Sequence, residues 1–243
     1  MLFPTIDFIV FFVAVITCIS IVRFRRFQYL FLVASSYFFF YFSSNYLLSL
    51  LIFSTILDFF VAKAIFNTKN ASRKKLLLVG SLIGNLGLLG FFKYADFVIL
   101  EFNILGQAFN LSSEIPFLNL ALPIGISFYT FQTIAYTVDV YRGKLTPCKS
   151  FSEFALFVSF FPQLVAGPII RASHFLPQLR EKITEAGTRY GLRIISVENR
   201  NLKAGITLMA FGFLKKMFFA DNIAPLVDDI FVNPMGAESF TII

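Results

Sequence analysis

Tryptophan is absent from this chain, histidine occurs once and cysteine twice. Each scarcity removes a class of chemistry. His174 has no His or Cys partner at ligand spacing, so no metal site is expected. Cys18 lies in the first apolar segment and Cys148 in a basic loop, which leaves no disulfide framework. Charge is scarce as well, at 14% of residues, against roughly 25% in a soluble domain. No GxSxG, P-loop or GxGxxG string is present, which removes the common hydrolase and nucleotide-binding signatures. The opening MLFPTIDFIVFF has no basic run ahead of its apolar one, so a cleaved signal is not expected.

Hydrophobic residues fill the gap. They make up 57% of the 243 residues, with mean hydropathy +0.77. This implies one polytopic, all-α membrane domain covering residues 1–243. The net charge of +7 does not point to nucleic acid, because the basic residues cluster between apolar segments, as in membrane loops. Thirty-five Phe residues are a bias without a functional reading.

Taken in order, Thr5–Val22 reads as the first span, and Arg23, Arg25 and Arg26 follow it. Basic residues stay on the cytoplasmic side, so the N-terminus is expected outside. Phe27–Phe42 returns, with the aromatics Tyr37–Phe42 near the outer interface and a turn at Ser43-Ser44-Asn45. Leu47–Ala62 goes back inward; its Asp58 is a candidate buried acid, with the plainer alternatives that it bonds a neighbouring hydroxyl or sits near an interface. Leu76–Phe92 carries Gly80, Gly84, Gly87 and Gly90 on one face, a signal for close helix packing. Lys93 and Asp96 are spaced to pair with each other. Phe97–Phe109, broken up by Glu101, Asn103 and Gln107, reads as an in-plane helix.

The chain's most informative stretch is Leu122–Gly143, LPIGISFYTFQTIAYTVDVYRG. It is long enough to cross a bilayer yet rich in hydrogen-bonding groups. Tyr129, Gln132, Tyr136 and Asp139 fall within a roughly 80° arc of one helical face. Polar groups at membrane depth face a bundle interior or a water-filled cavity. Asp139 and Arg142 either form a surface ion pair or line that cavity.

Phe151–Ala166 is apolar but flanked by basic loops on both sides. If both loops are cytoplasmic, so short a segment must dip in and return, or lie in the plane, with breaks at Pro162, Gly167 and Pro168. Arg171–Lys203 reads as a cytoplasmic, partly helical segment. His174 reads as an interfacial histidine near a helix start capped by Ser173, with a lone general base as the sharper alternative. Lys215 and Lys216 either snorkel at a helix end or face the interior.

Three strings in order, LPIGISFYTFQTIAYTVDVYRG, then FFPQLVAGPIIRASHFLPQL at Phe160–Leu179, then GFLKKMFFADNIAPLVD at Gly212–Asp228, resemble the membrane-bound O-acyltransferase family. The likeness is to its bacterial branch, with the alginate O-acetyltransferase and the teichoic-acid D-alanine transfer protein, and covers nearly the whole chain. The resemblance implies a membrane enzyme that moves an acyl, expected acetyl, group from a cytoplasmic donor to hydroxyls of an extracytoplasmic polysaccharide, through a funnel. It implies a bacterial inner-membrane location, an acyl thioester as substrate with no further cofactor, and often a periplasmic acetylation partner. It makes Gln132, Tyr136, Asp139, Gln163 and Arg171 candidates for the wall or support of the funnel. In this family the catalytic histidine lies in a later segment near a Trp-His pair. That role is not carried over to His174, and the chain is expected to be the N-terminal part of a larger domain, inactive alone. Two other readings are a transport or flipping component and a non-catalytic membrane scaffold.

Overall fold

The computed structural model describes residues 5–22, 24–44, 47–109, 114–122, 125–164, 167, 169–182, 190–192, 194–195 and 197–232. They form two compact units, Val22–Ile195 and Met1–Ile21 with Ser196–Ile243.

The larger unit holds α2 (Arg25–Ser44), α3 (Leu48–Asn67), α4 (Ala71–Ala108) and α5 (Ile126–Tyr141). The short helices α6 (Phe151–Ser159), α7 (Phe161–Leu164) and α8 (Ala172–Leu179) follow. A two-stranded antiparallel ribbon, β1 (Arg180–Lys182) with β2 (Tyr190–Leu192), pairs Arg180 with Leu192. The smaller unit holds α1 (Ile6–Ile21), α9 (Asn199–Leu214) and α10 (Asp221–Val232), with the π-helical segment Lys215–Ala220 joining the last two. The protein is thus a helical membrane protein, and α3 and α4 are long and apolar enough to span.

α3, α4 and α5 pack as a trio, while α2 packs against α6. The centre of the unit is α6. Glu153 through Ser159 are all buried, so this helix has protein on every side. Its aromatic rings interlock with the neighbouring helices: Tyr136 and Phe154 centroids lie 4.4 Å apart, Phe157 and Phe175 5.7 Å, and Phe59 and Phe154 6.1 Å. The helix stops at Ser159, ahead of Pro162, which occupies the first turn of α7, where a missing N–H costs nothing. Pro168 lies outside the described residues.

The chain then returns. α8 brings it back until Arg180 stands beside Glu153, with its Nη2 3.8 Å from Cys148 Sγ. Cys148 precedes α6 and Arg180 follows α8, so the two ends of this stretch meet at one place. The same end receives the start of α2. Tyr29 Oη donates to the Leu179 carbonyl at 2.8 Å, and the Gln28 carboxamide brackets Ile195, donating to its carbonyl at 2.9 Å and accepting its N–H at 3.0 Å.

Several expectations are corrected. Leu76–Phe92 and Phe97–Phe109 are not separate elements, a span followed by an in-plane helix. They are one helix of 38 residues, capped by Asn70, whose Oδ1 accepts the Arg73 N–H at 3.1 Å. At ~1.5 Å per residue it is about 57 Å long, nearly twice a hydrocarbon core of about 30 Å. The polar residues that suggested an interface instead hold an irregular segment along α4. Asn103 exchanges two hydrogen bonds with the Ile115 backbone, and Gln107 donates to Glu114. Asp96 accepts the Leu118 N–H at 2.8 Å rather than pairing with Lys93, which lies 5.3 Å over the Tyr94 ring. Of the four glycines only Gly84 is packed, close against Leu57 of α3; Gly80, Gly87 and Gly90 face open space. Ser43 and Ser44 belong to α2 rather than a turn, and Asn45 lies outside the described residues. α8 is capped at Arg171, so Ser173 is its second residue, not its cap.

Candidate functional site

The polar face of α5 points into the larger unit. Tyr129, Thr130, Gln132, Thr133, Tyr136 and Thr137 are all buried. The helix begins at Gly125, whose φ of 77° is left-handed; a Cβ there would meet the Leu164 carbonyl oxygen at 2.5 Å. Only glycine lets α5 start against the end of α7.

Two groups of polar contacts follow from this seating. The first lies among α3, α4 and α5, around Asp58. Its carboxylate accepts from Ser81 Oγ, from Thr137 Oγ1 at 2.9 Å and from Asn85 Nδ2 at 2.8 Å. Asn85 Oδ1 in turn accepts from Ser54 Oγ at 2.5 Å, and Ser54 meets Thr133 at 3.3 Å. Asp58 is the neighbour-bonded acid of the sequence reading, spread over three helices.

The second group surrounds α6. Gln132 Nε2 and Gln163 Nε2 both donate to the Phe157 carbonyl, at 2.8 and 2.7 Å. Tyr136 Oη accepts the Cys148 N–H at 2.9 Å. Glu153, buried on the first turn of α6, forms an ion pair with Arg180. Among the described residues, the buried Tyr129 hydroxyl and Gln163 Oε1 have no hydrogen-bond partner.

Of the five sequence candidates, the fold brings Gln132 and Gln163 onto one carbonyl and places Tyr136 at the far end of the same short helix. Asp139 is half-buried near the end of α5, where its carbonyl accepts the Lys144 N–H at 2.9 Å; among the described residues it makes no ion pair with Arg142. Arg171 is exposed, and its carbonyl accepts the N–H groups of His174 and Phe175 in the first turn of α8. His174 is exposed on α8. Lys215 and Lys216 are exposed, and Lys216 pairs with Asp221.

The sequence reading missed Glu153, Cys148 and Arg180. A Glu inside an apolar, returning segment was the available signal, because a buried carboxylate demands a partner. These three line a cleft of about 700 Å³ at the basic end of the unit, together with Lys63, Phe66, Asn67, Thr146, Pro147, Lys149 and Ser150. Burial, then the neighbouring Glu153 carboxylate, pushes the Cys148 thiol up to about 12, so it stays protonated and is no nucleophile at neutral pH. Among the described residues no three His, Cys, Asp or Glu groups are placed to hold a metal ion.

The chain matches no family model and no solved structure. It does match curated bacterial proteins. It is 37% identical over 205 residues to a peptidoglycan O-acetyltransferase of Helicobacter pylori, an alignment covering 74% of this chain and 36% of that protein. It is 32% identical over 224 residues to a probable alginate O-acetylase AlgI of Pseudomonas putida, covering 89% of this chain and 42% of the relative. The corresponding Pseudomonas aeruginosa protein is 30% identical, over 99% of this chain and 44% of its own length. This chain belongs to the membrane-bound O-acyltransferase family. It spans less than half the length of these curated relatives. Within this family member, Gln132 and Tyr136 of the forecast α5 face contact the surroundings of α6, whereas the Asp58 group draws on Thr133 and Thr137, which lie outside that arc.

Proposed function

We propose that this chain is part of a bacterial inner-membrane O-acyltransferase that acetylates hydroxyl groups of an extracytoplasmic polysaccharide. The acyl group comes from a thioester donor on the cytoplasmic side. The observation that carries this reading is the 37% identity to a protein named peptidoglycan O-acetyltransferase, seconded by proteins named alginate O-acetylases. In the reaction the acceptor oxygen attacks the thioester carbonyl, a C–O bond forms and the C–S bond breaks. The hydroxyl proton passes to a general base and the thiolate leaves.

His174 is not that base in this reading. It is exposed on an eight-residue helix and is absent from the residues lining the cleft. The base is supplied from outside these 243 residues, which act as the front part of a larger catalytic domain. Gln132, Tyr136 and Gln163 support the channel wall by holding α6 in place; Asp139 and Arg171 contribute at its edges. The end of the larger unit where α2 begins and where Lys63, Lys149 and Arg180 gather faces the cytoplasm, which puts the N-terminus outside. A periplasmic protein that completes acetylation fits the same scheme.

The test is chemical. Ester-linked acetate is released by mild base from the envelope polysaccharides of cells with and without the gene. Its loss on deletion, with return on complementation, supports the reading. An unchanged acetate content overturns it.

A further inference from the structure

The cleft at the basic end differs in chemistry from the apolar helix faces around it. Three of its lining residues are cations, Lys63, Lys149 and Arg180, and one is an acid, Glu153. That leaves an excess of two positive charges. The acid is buried and already engaged by Arg180, so it does not face the cleft as an unbalanced anion.

Two of the cations are held in advance. Lys63 Nζ donates to the Lys149 carbonyl at 3.1 Å and sits 4.1 Å over the Phe59 ring. Arg180 is oriented by Glu153, and its guanidinium has five N–H donors, of which Glu153 and Cys148 engage two among the described residues. The Thr146 and Ser150 hydroxyls and the Asn67 carboxamide add neutral donors, and Phe66 and Pro147 form an apolar wall. A planar guanidinium and fixed ammonium groups, beside hydroxyls, are the set that recognises phosphate oxygens. Cations already oriented lose less freedom on binding than mobile ones.

We infer that this cleft binds the phosphate group of a phosphate ester carrying net negative charge, with the ester's carbon portion against Phe66 and Pro147. The shared chemistry has two sources, an anionic phospholipid headgroup or a soluble phosphate compound. The inference does not rest on acyl transfer, and its test involves none.

The full chain, purified in neutral detergent, is offered phosphatidylglycerol or phosphatidylcholine, and retention is read by native mass spectrometry. Sodium pyrophosphate is offered separately, with thermal stabilisation as the readout. Lys149→Gln is the principal variant, because that side chain is exposed. Lys144→Gln, an exposed lysine outside the cleft, is the control. Saturable binding of either phosphate probe is expected to weaken about fivefold in Lys149→Gln, the worth of one basic residue near an anionic surface. It is expected to weaken further at high salt, and to be unchanged in the control. Retention of phosphatidylglycerol without a pyrophosphate response identifies the lipid source; the reverse identifies the soluble one. Equal retention of both lipids with no pyrophosphate effect, or equal behaviour of the two variants, overturns the inference.

Discussion

Gln132 on α5 and Gln163 on α7 donate to the same acceptor, the backbone carbonyl of Phe157. The reason lies in the shortness of α6. A helix that ends at Ser159 leaves its last four carbonyls without intrahelical partners, and Phe157 contributes one of them. Glu153–Ser159 are buried, so no water is at hand at this end of α6, and two side-chain amides take its place. Replacing either glutamine by Leu leaves one donor and should cost little. Replacing both leaves a buried acceptor unpaired, and the double variant should lose about 1–3 kcal/mol, more than the sum of the singles. Thermal unfolding of the four proteins in one detergent checks this; additive losses would sink the shared-carbonyl account.

Asp58 ties three helices through one carboxylate. Asp58→Ala removes the acceptor of the Ser81 and Thr137 hydroxyls and of one Asn85 Nδ2 hydrogen, each a group whose unmet bond costs about 1–3 kcal/mol. The expected outcome is a sharp fall in monodisperse protein on size exclusion. Asp58→Asn, which keeps one oxygen acceptor, should retain more than Ala does.

The glycine stripe on α4 should respond unevenly. A Cβ at Gly84 falls 2.8 Å from Leu57 Cδ2, whereas one at Gly87 meets nothing. Gly84→Leu should therefore lower the folded yield through overpacking, by about 1–3 kcal/mol. Gly87→Leu should be close to neutral. Equal yields would show that α3 and α4 do not approach as described.

Cys148 provides a pH test. Its folded value, about 12 against an ordinary 9.0, means that the folded protein holds the proton more tightly than the unfolded chain. The stabilisation is present in full below pH 9 and is lost as pH rises from there toward 12. Maleimide labelling at pH 8 should be slow at Cys148 until the protein is denatured, and unfolding should become easier across that alkaline range. Rapid labelling of the native protein would contradict the burial.

Local periodicity carried much of this fold. Thr133, Gln132, Tyr136 and Thr137 lie on a buried face because residues spaced three and four apart share one side of a helix, a relation that holds within a few turns of chain. Asp139 shares the arc yet ends half-buried.

Other features depended on distant pieces of chain. Glu101, Asn103 and Gln107 looked like an interfacial interruption, but Asn103 and Gln107 bond to a segment that passes alongside α4. The glycine spacing placed a smooth face on α4 without saying which stretch of it α3 would cover. Nothing near Glu153 in sequence names Arg180, 27 positions away, as its partner. Spacing along a helix sets which side a residue faces. Its partner there is set by how non-adjacent helices pack, and for Gln132 and Gln163 that partner was a carbonyl freed by the end of a third helix.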